Sequence, residues 1–187
     1  MSNAKTKKGR LKLFLLAVIF LTPILGSYVA YYVWQPKGRV NFGELVVGYA
    51  VPEMSLASAH GGMVPLQQLR GKWLLVQIDD GACLAACQNK LYALRQARLI
   101  QGKHQDRIER LWLVDSERMP TSTPVGVWTL NAYHNPILNS FPVKTTARDH
   151  IYVVDPLGNV VLRYSGTPQP AKMAKDLKRL LQASRIG

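Results

Sequence analysis

The chain has 187 residues, 48% of them hydrophobic, with 24 Lys and Arg against 11 Asp and Glu and a formal net charge of +13. Residues 1–39 carry seven basic side chains and no acid, and residues 40–187 hold the other seventeen against all eleven acids, scattered over faces where a solvated surface explains them. Nucleic-acid binding is therefore not expected, and the absence of a glycine-rich phosphate loop, a nucleophile elbow or a zinc-protease helix leaves nucleotide and hydrolase chemistry without support.

Residues 1–12 form a basic tail with Lys5, Lys7, Lys8, Arg10 and Lys12 and no acid. Residues 13–34 (Leu13 to Trp34) follow without a charge, enough for a helix to cross a hydrocarbon core of about 30 Å. The positive-inside rule keeps the tail in the cytoplasm and sends the remainder outward. The cytoplasmic membrane is thus the first partner, and the exported domain lies in the periplasm. Tyr28, Tyr31, Tyr32 and Trp34 crowd the outer end like an interfacial belt. A cleaved signal peptide would share the basic start, but the residues around Gly26, Ser27 and Ala30 suit a signal peptidase poorly, so an anchor is expected. Pro23 is tolerable within a lipid-embedded helix.

Residues 35–44 read as a linker and residues 45–187 as one domain with its own core. Trp73 to Ile78 is an apolar run of strand length bounded by Gly71 and by Asp79-Asp80-Gly81, as expected of a strand buried on both faces. Cys87, Leu91, Leu94 and the stem of Arg98 recur at helical spacing, predicting an amphipathic helix from 85 to about 101 that stops near Gly102. Ile108 to Val114 is the next strand. Pro120, Pro124, Asn131, Asn135, Pro136 and Pro142 break the following region into loop with one short helix. His150–Asp155 and Val160–Tyr164 form a hairpin, and Met173, Leu177, Leu180 and Leu181 mark one face of a closing helix from near Pro170.

Cys83 and Cys87 are the only cysteines, and they fall just beyond the end of the first apolar strand. Side chains four apart on a helix share a face with β-carbons about 5–6 Å apart. Two thiols so placed can share a metal ion or close a short disulfide. A disulfide over so short a loop gains little stability from the unfolded state, so a purely structural staple explains the pair less well than chemistry does. A helix N-terminus and Lys90 would lower the thiol pKa, whereas Asp79 and Asp80 would oppose this if their carboxylates point the same way.

The order strand, cysteine pair at a helix start, helix, strand, hairpin and helix is that of a thioredoxin-like α/β domain with a central mixed sheet. Leu66-x-x-Leu69-Arg70-Gly71-Lys72-Trp73-Leu74-Leu75-Val76, the cysteine pair and Tyr152-Val-Val-Asp155-Pro156-Leu-Gly158 resemble the membrane-anchored thioredoxin-like proteins of the SCO (synthesis of cytochrome oxidase) group. The run from Cys87 to Arg98 is similar to a small bacterial family of anchored proteins associated with cytochrome c oxidase assembly. The likeness covers residues 45 to 182, and its most specific part is the three-residue spacer between the cysteines, where ordinary thioredoxins have two.

The resemblance implies that both sulfurs hold copper, and soft thiolates do favour Cu(I) over harder ions. The SCO pattern follows its second cysteine with proline, where this chain has Gln88. Its third copper ligand is a histidine, which alignment on Asp155-Pro156-x-Gly158 would place near Ala147. His150, three residues on, is the candidate for that role, with a solvent-facing strand-edge histidine as the alternative. No proline stands near Asp149, where a thioredoxin carries its cis-proline, which argues against a general disulfide oxidoreductase. His60, His104 and His134 have no metal-binding spacing and read as surface residues; Met54, Met63 and Met119 could be soft donors in a copper-handling protein, but at isolated spacing they read as packing.

Three functions follow. The first is an assembly factor for cytochrome c oxidase that acts as a copper metallochaperone or thiol reductant through Cys83 and Cys87, beside an oxidase subunit or another assembly factor. The second is a periplasmic thiol-disulfide oxidoreductase with Cys83 as attacker and Cys87 as resolver. The third is a non-redox assembly scaffold. The first is the expectation, with stoichiometric transfer rather than enzymatic turnover.

Overall fold

The computed structural model describes residues 3–33, 41–167, 169–184 and 186, the side chains of 3–9 excepted. Two compact units separate along the chain, Met1–Val40 and Asn41–Gly187. The first is one helix, α1 (Asn3–Val33). Its stretch Arg10–Val33 contains an 18-residue window of mean hydropathy 2.3 and could cross a membrane by length and composition. The helix starts within the basic tail and continues through Pro23, and Tyr28 and Tyr31 both pack their rings on Tyr32. Trp34 and the linker through Val40 lie outside the described residues.

In the second unit, β1 (Glu44–Leu45), β2 (Ser55–Ala57) and β3 (Met63–Pro65) precede β4 (Trp73–Asp79), α2 (Ala85–Leu99) and β5 (Ile108–Val114). Then come β6 (Trp128–Asn131), β7 (His150–Val154), β8 (Val160–Ser165) and α3 (Pro170–Ala183). Six strands form one mixed sheet in the order β1-β8-β7-β4-β5-β6, and β2 pairs with β3 apart from it. β4 runs parallel to β5 and antiparallel to β7, so the strand leading to the cysteines is central.

Side chains alternate across a strand, and the two halves of the core follow that parity. Trp73, Leu75, Ile151 and Val153 join Ala93, Leu94 and Ala97 of α2 and Met173, Leu177 and Leu181 of α3 on one face. Leu74, Val76, Ile78, Leu111, Leu113, Tyr152 and Val154 pack on the other face with Leu56, Leu66, Ile137 and Phe141. Both helices thus cover one face, and short strands, turns and loops cover the other. Within α3 the buried Asp176 carboxylate accepts from the Phe42 and Gly43 amides at 2.8 and 2.9 Å and from the Tyr164 hydroxyl at 3.0 Å, fastening the start of the domain to the helix. Burial and that carboxylate push the Tyr164 hydroxyl well above its usual pKa.

The domain departs from the sequence expectations in three places. α2 ends at Leu99 and gives way to a 3-10 turn over Gly102–Arg107. The region expected to be loop with one short helix contains β6, which extends the sheet as a parallel edge strand, and 3-10 turns at Pro136–Ser140 and Ala147–Asp149. The buried face of α2 also includes Lys90, 1% exposed, between Cys87 and Leu94. A lysine is sequestered this deeply only when paired, and its partners belong to the candidate site.

Candidate functional site

β4 is buried along almost its whole length and ends at Asp79. Asp80 then makes the turn: its Oδ1 accepts from the Ala82 amide at 2.8 Å and its carbonyl from the Cys83 amide at 3.1 Å. Cys83 has φ +43°, a left-handed conformation rare outside glycine, and Leu84 is extended before α2 begins. No side chain caps the helix. Its first amides therefore lack intrahelical acceptors and present positive potential at the turn that carries Cys83.

Cys83 and Cys87 are joined as a disulfide with Cα atoms 5.0 Å apart. Cys83 is half-buried and Cys87 is 1% exposed, so one sulfur faces the surface and the other is shielded by the fold. Gln77 Nε2, from the buried middle of β4, donates to Cys87 Sγ at 3.4 Å. Around this contact Cys87 packs with Trp112, Val114 and Val127, and Cys83, Leu91 and Met119 lie against the same cluster. Sequence reasoning did not single out Gln77, because nothing in a strand-like run marks which residue meets a sulfur on a later helix.

The loop after β5 is pinned to the cysteine turn. Gly81 donates its amide to Ser116 Oγ at 2.9 Å, and that hydroxyl donates to the Arg118 carbonyl at 2.9 Å. A β-carbon on Gly81 would overlap the Arg118 carbonyl oxygen. Only glycine lets the two loops approach so closely, and the approach brings the loop of Met119, which packs on the Cys87 cluster, beside the cysteine turn.

The acids flanking the pair are neutralised by their own partners. Lys90 Nζ pairs with Asp79 at 2.6 Å and donates to the Ile78 and Arg148 carbonyls, which explains its burial. Arg148 in turn pairs with Asp80 at 3.3 Å and with Asp115 at 3.4 Å. Lys90 is therefore engaged with Asp79 and with β4, rather than with the sulfurs as the sequence suggested.

His150 opens β7 with Nδ1 donating to the Thr146 carbonyl at 2.9 Å. That bond leaves Nε2 with the lone pair, the tautomer a ligating imidazole needs. Its ring, however, stacks toward Tyr152 with centroids 6.0 Å apart, and by strand parity it points to the sheet face opposite α2 and Cys87. The structure thus does not bring His150 together with the cysteines, and among the described residues no three His, Cys, Asp or Glu side chains gather as a metal site. His60 is exposed and meets Thr123 Oγ1 at 3.1 Å, and His134 is exposed against Tyr133.

A mixed sheet whose central strand delivers a half-exposed and a buried cysteine to the start of a helix defines a thioredoxin-like protein with a redox-capable dithiol. The chain belongs to the family described as transmembrane-like, thioredoxin-like, C-terminal domain, whose model matches residues 73–184. Solved structures share the fold. Bradyrhizobium japonicum ScoI with copper bound is 23% identical, with 71% of this chain and 99% of that one covered at TM-score 0.56. Yeast Sco1 with copper bound is 12% identical, with 74% and 96% covered at TM-score 0.62. BsSco, described as a Sco-family cytochrome c oxidase assembly protein with a disulfide switch, is 15% identical, with 79% and 100% covered at TM-score 0.58. No curated protein matches the sequence.

Proposed function

We propose that this chain is a membrane-anchored assembly factor for cytochrome c oxidase, acting through Cys83 and Cys87 as a copper metallochaperone or as thiol reductant of a copper site. In this reading residues 1–12 stay in the cytoplasm, 13–34 cross the inner membrane, 35–44 form the tether and 45–187 work in the periplasm. The partner is an oxidase subunit or another assembly factor. The observation that carries the reading is a pair of sulfurs brought together at the start of α2, from Cys83 in the turn before the helix and Cys87 in its first turn, with Cys83 the more exposed.

Copper is the cargo, and the donors suit it only in one redox state. An upstream thiol reductant must first supply two electrons while two protons are taken up, opening the disulfide to two thiols. Cu(I) then displaces both protons and is held by soft thiolates. The uncapped amides of α2 and the Gln77 amide donor favour negative charge on the sulfurs. Titrating the reduced full chain in detergent with Cu(I) against a competing chelator tests the reading. About one Cu(I) per chain is expected, lost in Cys83→Ser and in Cys87→Ser, and failure to compete at micromolar affinity would overturn it.

The asymmetric burial of the two sulfurs favours thiol-disulfide exchange as the second reading. The Cys83 thiolate attacks a partner disulfide, releasing one partner thiolate and leaving a mixed disulfide, and Cys87 then attacks Cys83 to release the other. Under that reading Cys87→Ser traps a covalent partner complex with or without copper. A non-redox scaffold would instead support oxidase assembly with both cysteines replaced by serine.

A further inference from the structure

A dithiolate that takes up Cu(I) leaves room for a third soft donor, and the sheet decides which side chains can supply it. His150 follows Tyr152 onto the face packed by Leu74, Val76 and Ile78. Cys87 packs on the opposite face, against Trp112 and Val114 of β5. The imidazole and the Cys87 sulfur are thus assigned to opposite faces of the sheet.

Met119 is on the sulfur side. It is half-buried and, like Cys83, packs against the buried cluster that contains Cys87. Its position is held from two directions, by the Gly81 amide on Ser116 Oγ and by that hydroxyl on the Arg118 carbonyl one residue before it. The loop that carries Met119 is therefore docked on the very turn that carries Cys83. A thioether is a neutral, soft ligand of the kind that selects Cu(I), and methionine has three rotatable side-chain bonds with which to approach an ion.

We propose that Met119 supplies the third copper ligand through its thioether sulfur, completing a Cys83–Cys87–Met119 site in place of a cysteine–cysteine–histidine one. The proposal deepens the metallochaperone reading and rests on it. When Cu(I) enters, the two thiols each lose a proton and the thioether contributes a lone pair, with no change in its own protonation. A neutral third donor bound more weakly than thiolate also suits an ion that must be passed on.

The test uses the reduced full chain in detergent micelles, labelled with selenomethionine and loaded anaerobically with one equivalent of Cu(I). X-ray absorption at the copper edge is expected to show selenium as well as sulfur in the first shell, and Met119→Leu is expected to remove the selenium signal. Chelator competition is expected to give about tenfold weaker Cu(I) binding in Met119→Leu, the loss of one weak ligand. Leucine nearly conserves the packing volume, so the urea-denaturation midpoint of the apo protein should stay close to that of the unmodified chain, separating ligation from folding. A shell of two sulfurs without selenium, with affinity unchanged in Met119→Leu, would overturn the ligand assignment and leave the copper reading standing. A drop in His150→Ala matched by none in Met119→Leu would return the third position to the histidine. If the unmodified chain takes up no Cu(I), the copper reading fails and the assignment with it.

Discussion

Gln77 and Cys87 meet across the interface between β4 and α2, the amide nitrogen donating to the buried sulfur at 3.4 Å while the amide oxygen of the same side chain has no hydrogen-bond partner. One half of the amide thus serves the site and the other half is left buried without compensation. After reduction the N–H stabilises a thiolate better than it does a disulfide sulfur. Gln77→Leu should therefore raise the Cys87 thiol pKa and make the disulfide harder to reduce. Equilibration with a glutathione redox buffer and the pH dependence of Cys87 alkylation measure both effects. Because the substitution also removes the unpaired oxygen, fold stability should change by less than about 1 kcal/mol.

The disulfide spans a sequence separation of four. On the chain-entropy model so short a loop contributes about 2 kcal/mol. Replacing both cysteines by serine should lower stability by no more than that in urea unfolding. A much larger loss would make the bridge a structural staple.

Lys90 and Asp79 form the buried pair beneath the site, at 2.6 Å with side chains 2% and 14% exposed. Lys90→Met leaves Asp79 without its cation and should cost about 3 kcal/mol. Asp79→Asn in the same chain should recover most of the loss, and a double-mutant cycle by urea denaturation reads the coupling directly.

Gly81 is where the two functional loops touch. Gly81→Ala places a methyl against the Arg118 carbonyl and must push the Met119 loop away. A destabilisation of about 1–3 kcal/mol is expected. Cu(I) binding should weaken at the same time, although no proposed ligand has been altered. Chelator competition measures this.

Glu44 of β1 pairs with Arg163 of β8 at 2.8 Å and with Lys144 at 3.0 Å. Those cations lower its pKa from 4.5 to about 2. A carboxylate depressed in the folded state stabilises the fold above its unfolded pKa, and the contribution disappears as pH falls through the folded value. The wild type should accordingly lose stability between about pH 4.5 and 2 more steeply than Glu44→Gln, as followed by Tm at a series of pH values.

Elements with strong local signals were legible in the chain. The apolar run from Trp73, the strand at Ile108–Val114, the hairpin around Gly158 and the helix from Pro170 all occur where periodicity and turn residues put them. β6 escaped because four residues that include Thr129 and Asn131 carry no period, and what makes them a strand is pairing with β5. Strands of two or three residues, such as β1 and β2, are likewise set by their partners. Lys90 reads in the sequence as a cation beside the thiols, because only the fold brings Asp79 to it.

Local chemistry alone was enough to establish the apolar segment, the strand that leads to the cysteines and a spacing close enough for two sulfurs to meet at a helix start, since each depends on residues a few positions apart; that Cys83 sits in a left-handed turn before α2, and not on the helix, was not legible. Which other side chains share that turn was settled by packing at long range. Strand parity turns His150 to the far side of the sheet, and a glycine approach between loops about thirty-five positions apart carries Met119 to the near side. Neither relationship has a local signature, because it exists only once β4, β5 and β7 lie side by side.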